Sequence, residues 1–420
     1  MHRKTHLRPS DLRGLSRLAI DATTGVTDLV EAMHHNIARA PDIFGTPAQG
    51  RARGITGFVY RSIRGVTRLV GSGIDALLAR TGPMLEREGS SPAREAVVAA
   101  LNGVLGDYLA ATDNPLAIPM RLRRDGHPLD MDRESLAAAI PSAGGKLLVL
   151  VHGLCMNDLQ WHRQGHGHGA ALARDLGYTP VYLHYNSGRH ISTNGREFAD
   201  VLETLLREWP AAVQELVILA HSMGGLVSRS ALHYGNAAGH DWPRRLTKLV
   251  FLGTPHHGAP LERGGNWIDV LLGVSPYTAP FARLGKIRSA GITDLRYGSL
   301  LDEEWHGRDR FHPIPHRGPA VPLPEGVECY AMAATTGKRP DDLAGRILGD
   351  GIVPVASALG RHQDPARALS IPESQRWLGC GMNHWDLLSR SETYEQIRRW
   401  LDLSGKSGDV AQAAEDRAET

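Results

Sequence analysis

The chain has 420 residues, 42% of them hydrophobic, which excludes disorder throughout and suffices for one large domain or two ordinary ones. Lys plus Arg (47) nearly balances Asp plus Glu (45), so the net charge of +2 gives no general attraction to nucleic acid. Cys155, Cys329 and Cys380 form no close pair, the first residues lead into polar sequence, and no apolar run is long enough to span a bilayer. A reducing, cytoplasmic setting is expected, with peripheral membrane attachment open.

Residues 1–140 lack strand-like apolar runs and are rich in Ala, Gly, Arg and Leu at helical spacings, so they predict a helical N-terminal extension. Leu12, Leu15, Leu18 and Ala19 recur at steps of three and four, and Val26, Leu29, Val30 and Met33 continue the pattern. Residues 51–80 carry a second apolar set, from Ile55 and Phe58 to Leu77 and Leu78. Arg51, Arg53, Arg61, Arg64, Arg68 and Arg80 stand there against one acid, Asp75. Such a stretch can lie on an anionic membrane surface or dock on a partner. The plainer reading, which we favour, packs its apolar face on the neighbouring domain and leaves the arginines solvated.

Strands begin at Lys146, where Leu147 to Val151 form a continuous apolar run suited to a parallel sheet covered on both faces. Further strands are predicted over 180–186, 215–222, 248–254 and 327–334, with a short one at 376–378. Helices are predicted over 195–209, before Pro210, and from Met223 to a stop near Gly235. This alternation implies a mostly parallel sheet with sites at the strands' carboxyl ends. Residues 258–326 break the rhythm and read as a partly helical cap, the domain that bears the sheet runs over 141–403, and 404–420 read as a loose tail.

Val217 to Leu226 reads as a buried strand turning sharply into a helix, with Ser222 at the bend between small Ala220 and Gly224. The stretch His221-Ser222-Met223-Gly224-Gly225 resembles the nucleophile elbow of α/β-hydrolase lipases and esterases, with Ala in the first small position. A serine hydroxyl needs a histidine to take its proton and a carboxylate to orient that histidine. In such a fold the chain order is Ser, acid, His. Among 21 histidines this order selects His384, in Gly381-Met382-Asn383-His384-Trp385, and Asp350, set between Gly349 and Gly351. Asp341 and Asp342 are rival acids, and His362, His256 and His257 rival bases.

The oxyanion of an acyl-transfer intermediate needs two fixed donors. Met223, following the nucleophile at a helix N-terminus, supplies one backbone N–H, and Leu154 in His152-Gly153-Leu154 supplies the other, with His152, Gly153, His221 and Gly224 in support. Gly253-Thr254-Pro255-His256-His257-Gly258 and the acid turn resemble segments of lipase-like proteins, including the family related to GPI inositol-deacylases. The resemblance covers residues 146–395. His162, His166 and His168 fall among glycines with no carboxylate to complete a metal set, and read as a hydrogen-bonding loop at the site rim. Cys155 reads as a small packing residue. The expected protein is therefore an α/β-hydrolase that cleaves carboxylic esters of lipid-like substrates, without metal or cofactor. Acyl transfer by the same triad, or an inactive membrane- or partner-binding module, are the alternatives.

Overall fold

The computed structural model describes residues 8, 10–23, 92–259, 289–307, 320–339, 342 and 349–402. The apolar patterns at 26–33 and 51–80, most of the expected cap and the expected tail lie outside them. The chain divides into two compact units, the first holding the described residues up to Arg94 together with Leu109–Ala117, the second Glu95–Tyr108 and everything from Ile118 on.

In the first unit helix α1 (10–23) begins at a cap in which the Arg8 N–H donates to Asp11 Oδ2 at 2.8 Å. Arg94 Nε reaches the same carboxylate at 2.6 Å. Gly14 sits against Leu116 and Asn114, where an added Cβ would lie 2.5 Å from Leu116 Cγ. The expected apolar stripe is not simply core: Leu12 and Leu15 are 45% and 46% exposed.

Helix α2 (Pro92–Ala111) spans the division between the units. The second unit is a sheet of strands β1 (Arg121–Arg124), β2 (His127–Pro128), β3 (Lys146–Val151), β6 (Thr179–His184), β7 (Glu215–His221), β8 (Leu246–Leu252), β9 (Glu328–Thr335) and β10 (Arg376–Cys380), ordered β10-β9-β8-β7-β3-β6-β1-β2. Two short strands, β4 (His162–Arg163) and β5 (His166–Gly167), form a separate hairpin. Strands β3 and β6 to β10 run parallel, β1 pairs antiparallel with β6, and β2 forms the edge antiparallel to β1. The intervening helices are α3 (Arg133–Ala139), α4 (His168–Leu176), α5 (Ile191–Glu208), α6 (Met223–Ala237), α7 (Trp242–Arg245), α8 (Ala290–Tyr297), α9 (Val355–Ala358) and α10 (Ser391–Asp402).

Register places the site. Val151 pairs with Ala220 and Ala220 with Phe251, so the loops leaving β3, β7 and β8 emerge side by side at the carboxyl edge. From Leu147 to Val151 and from Val217 to Ala220 no residue is exposed at all, as a sheet covered on both faces requires.

Two sequence expectations need correction. Residues 121–128 are strand, not helix: Asp125 and Gly126 take φ of 51° and 79°, the left-handed pair of a tight hairpin turn, and Leu122 and Leu129 are buried beside it. Together with the middle of α2 they belong to the unit that holds the sheet, so the expected division at residue 140 does not separate the described residues. The helix after the elbow ends near Gly235 as expected, its last residue being Ala237. That glycine is there for close approach, since a Cβ on it would stand 2.9 Å from Trp242 Nε1.

Candidate active site

Ser222 lies between β7 and α6 with φ 54° and ψ −124°, a strained conformation that a non-glycine residue adopts only when its surroundings enforce it. Three contacts do so. The Ser222 N–H donates to Leu252 O at 2.8 Å. At Gly224 a Cβ would collide with the carbonyl oxygens of Val151 and His152, and at Gly225 with Thr254, so α6 starts flush against β3 and the β8 loop only because both lack side chains.

Asp350 is held by a turn tied to the end of β9 through Thr336 N–H to Gly349 O, 3.0 Å. Gly349 and Gly351 take φ of 61° and 94°. One carboxylate oxygen, Oδ1, accepts the N–H groups of Ile352 and Val353 at 3.0 and 2.8 Å. The other, Oδ2, is 2.6 Å from His384 Nδ1, and both side chains are completely buried. Since a carboxylate only accepts, Nδ1 carries the imidazole proton and Nε2 presents its lone pair. Among the described residues Nε2 has no hydrogen-bond partner, although it is buried.

His384 is fixed through its backbone as well. Its N–H donates to Asp350 O at 3.2 Å, and His221 Nε2 donates to its carbonyl at 3.3 Å. Burial holds His221 neutral, well below the usual histidine range. The His221 and His384 rings stand 4.7 Å apart. Gly253, next to the Leu252 that receives Ser222, leaves room for the His384 ring, because a Cβ there would come within 3.0 Å of Cε1.

The loop after β3 runs His152-Gly153-Leu154-Cys155. A Cβ at Gly153 would lie 3.0 Å from Ser222 Cβ. Cys155 adopts φ 59° and its N–H donates to Ser187 Oγ at 3.0 Å, which fixes the path of Leu154. Its thiol packs against Gly103 of α2 and burial pushes it up to about 12, so it is a packing residue rather than a nucleophile. The His152 ring stacks on Tyr185 at 4.4 Å, Tyr185 OH donates to His152 O at 2.9 Å, and burial lowers the imidazole to about 4. Neither Leu154 N–H nor Met223 N–H donates a hydrogen bond among the described residues.

Of the rival bases, the His362 ring is tilted against that of His257, 4.8 Å away, and His256 faces Arg229. Asp341 falls outside the described residues. The expected rim loop at 162–168 is instead the β4–β5 hairpin leading into α4. His166 Nε2 donates to His168 Nδ1 at 2.9 Å, and buried His168 Nε2 donates to Leu387 O at 2.9 Å, which supports the turn after His384. Sequence reasoning missed this relay. Its signal was the Gln164-Gly165 pair, whose φ of 52° and 79° make a tight hairpin turn. Among the described residues no group of three or more His, Cys, Asp or Glu is placed to hold a metal ion.

A family model of the PGAP1-like alpha/beta domain matches residues 142–321. Curated proteins give no match to the chain. Solved structures similar to it include a Bacillus licheniformis lipase, BlEst2 in mature form, at 18% identity and TM-score 0.39, covering 67% of this chain and 97% of that one. Aspergillus fumigatus lipase B is similar at 12% identity and TM-score 0.39, over 67% of this chain and 55% of its own. The Pyrococcus furiosus esterase Pf2001 is similar at 11% identity and TM-score 0.38, over 62% and 82%. The architecture is that of an α/β-hydrolase: an eight-stranded, mostly parallel sheet with a strained serine between its central strand and the following helix.

Proposed function

We propose that the chain is a serine carboxylic-ester hydrolase acting on lipid-like esters. The observation that carries this reading is the completely buried Asp350–His384 pair, whose Nε2, without a partner among the described residues, lies beside the loop that also receives the strained Ser222.

Ser222 Oγ attacks the ester carbonyl as its proton passes to His384 Nε2. The tetrahedral oxyanion takes hydrogen bonds from Leu154 N–H and Met223 N–H, each worth about 3–4 kcal/mol of transition-state stabilisation. Its collapse breaks the bond to the alcohol, which leaves with the proton from His384, and the acyl group stays on Ser222. A water then loses its proton to His384 and attacks the acyl carbonyl, releasing the acid and restoring the serine. Asp350 keeps the Nδ1–H tautomer throughout and balances the imidazolium that forms twice. No step calls for a metal or an organic cofactor. Membrane contact through residues 51–80 concerns residues outside those described, and no described helix is long and apolar enough to cross a membrane.

The test is labelling with a fluorophosphonate probe and hydrolysis of esters of increasing chain length by the wild type and Ser222→Ala. Labelling at Ser222 is expected, with at least roughly a thousandfold loss in the folded variant. Near-normal hydrolysis by that variant removes Ser222 from the mechanism.

A further inference from the structure

A polar cavity of about 40 Å³ lies against α6 and the loop that follows β8, lined by Arg229, His256, His257, Glu304, Val321 and Arg367 among others. A single water needs about 10–15 Å³ of such space, so the cavity holds a few waters or one small ion.

Arg229 is only 5% exposed and forms no ion pair among the described residues. One of its terminal nitrogens donates to Val321 O at 2.6 Å, the other faces His256 Nδ1 at 3.5 Å, and its Nε–H is buried without a partner. A guanidinium only donates, so His256 Nδ1 is the acceptor and the proton of neutral His256 sits on Nε2. That atom is also buried and unpartnered. Both atoms are thus buried donors without an acceptor among the described residues, on two side chains that line the cavity. Leaving a buried guanidinium uncompensated is costly, and a buried ion normally keeps a counter-charge.

Glu304 lines the same cavity, but its Oε2 is committed to the N–H groups of Leu300 and Leu301 at 2.6 and 2.9 Å. Its charge acts on the Arg229 guanidinium, while Arg367, also on the lining, has Asp364 3.8 Å away as its own partner. Burial draws Arg229 down only to about 10, so it stays cationic at neutral pH.

We propose that this cavity binds a small tetrahedral oxyanion, a phosphate group either free or esterified in a lipid headgroup, held by Arg229 and His256. Its place favours communication with the site described above: Arg229 lies two turns along α6 from Ser222, and His256 belongs to the loop whose first residue, Gly253, abuts His384.

The experiment measures thermal unfolding of the full chain with inorganic phosphate, sulfate or chloride at equal ionic strength. Phosphate is expected to stabilise saturably, shifting the unfolding equilibrium about elevenfold at ten times its dissociation constant. R229M loses this response. R367Q, a change at a more exposed position that spares the core, weakens binding by about fivefold at most. A second arm, which rests on the ester-hydrolase reading, compares turnover of a phospholipid and a neutral diacylglycerol with the same chains. A phospholipid-to-neutral ratio that falls in R229M assigns the site to a headgroup. A thermal response with an unchanged ratio assigns it to free phosphate. Absence of turnover on both esters overturns the hydrolase reading and leaves the thermal arm standing. Identical melting in phosphate and chloride, with no change in the ratio, means that the cavity holds water only and overturns the proposal.

Discussion

Replacing Asp350 by Asn isolates the orienting role of the carboxylate, because the structure dictates how the amide must sit. Ile352 N–H and Val353 N–H both point at Oδ1, at 3.0 and 2.8 Å, and both lie in a buried turn. The amide oxygen must stay on that side. Flipping it would turn an NH2 against two buried donors and leave them unsatisfied, at about 1–3 kcal/mol each. The NH2 therefore takes the Oδ2 position, 2.6 Å from His384 Nδ1 in the wild type, and donates to it. His384 is forced into the Nε2–H tautomer, and the atom that should accept the serine proton already carries one. The expected loss in kcat is about ten-thousandfold, ~5.4 kcal/mol of barrier, with little change in KM and a fold intact by circular dichroism. The assay is steady-state hydrolysis of a soluble nitrophenyl ester together with thermal unfolding. A D350N enzyme that folds normally and keeps kcat within tenfold of wild type would refute both the tautomer argument and the assignment of the acid.

At Gly153, substitution by Ala places a methyl 3.0 Å from Ser222 Cβ and 3.2 Å from His221 Nδ1, so the loop must yield and carry Leu154 N–H with it. The expected cost is about a hundred- to thousandfold in kcat, the value of one oxyanion donor, and unchanged kcat in a well-folded G153A would exclude Leu154 from that role. Acid should unfold the protein early. His152 and His168 are held neutral by burial at about 4, against about 6.5 in the unfolded chain, so below 6.5 the unfolded state binds more protons and stability falls until about pH 4. By pH 5 each costs about 2 kcal/mol relative to pH 8, a large share of a net ~5–15 kcal/mol. Equal denaturant midpoints at pH 8 and pH 5 would contradict this.

The central sheet was legible because strands covered on both faces must be apolar at every position, and β3 and β7 are. The elbow was legible because sharp turns demand small residues, and Ala220, Gly224 and Gly225 flank Ser222. What escaped notice depends on partners remote in sequence. β1 is Arg-Leu-Arg-Arg, and only its pairing with β6 makes it a strand. Gly103 and Gly106 look like defects in a helix, yet each marks close approach, to Cys155 and to Asn186. Arg229 looks like one more charged residue on a surface helix, because nothing local reveals that its side of α6 is covered. Leu12 and Leu15 show the converse, an apolar periodicity whose residues remain about half exposed.

The histidine preceding the serine illustrates why a buried neutral imidazole belongs at this spot. In the proposed mechanism His384 becomes an imidazolium, and the His221 ring is 4.7 Å away. A second cation at that distance would oppose the first by about 3.5 kcal/mol at an effective dielectric of 20, enough to cancel one oxyanion donor. Burial removes that hazard by keeping His221 neutral well below the usual range. Neutrality also fixes its single proton on Nε2, where it meets the His384 carbonyl. The same desolvation thus supplies a donor that sets the position of His384 and withholds a charge that would resist its protonation. An Arg could donate equally well to the carbonyl but could not stay neutral. A Phe would stay neutral but would leave the carbonyl without that donor. Under the proposed mechanism the requirements on residue 221 therefore come from the proton that His384 would carry, and geometry alone would not have selected a histidine.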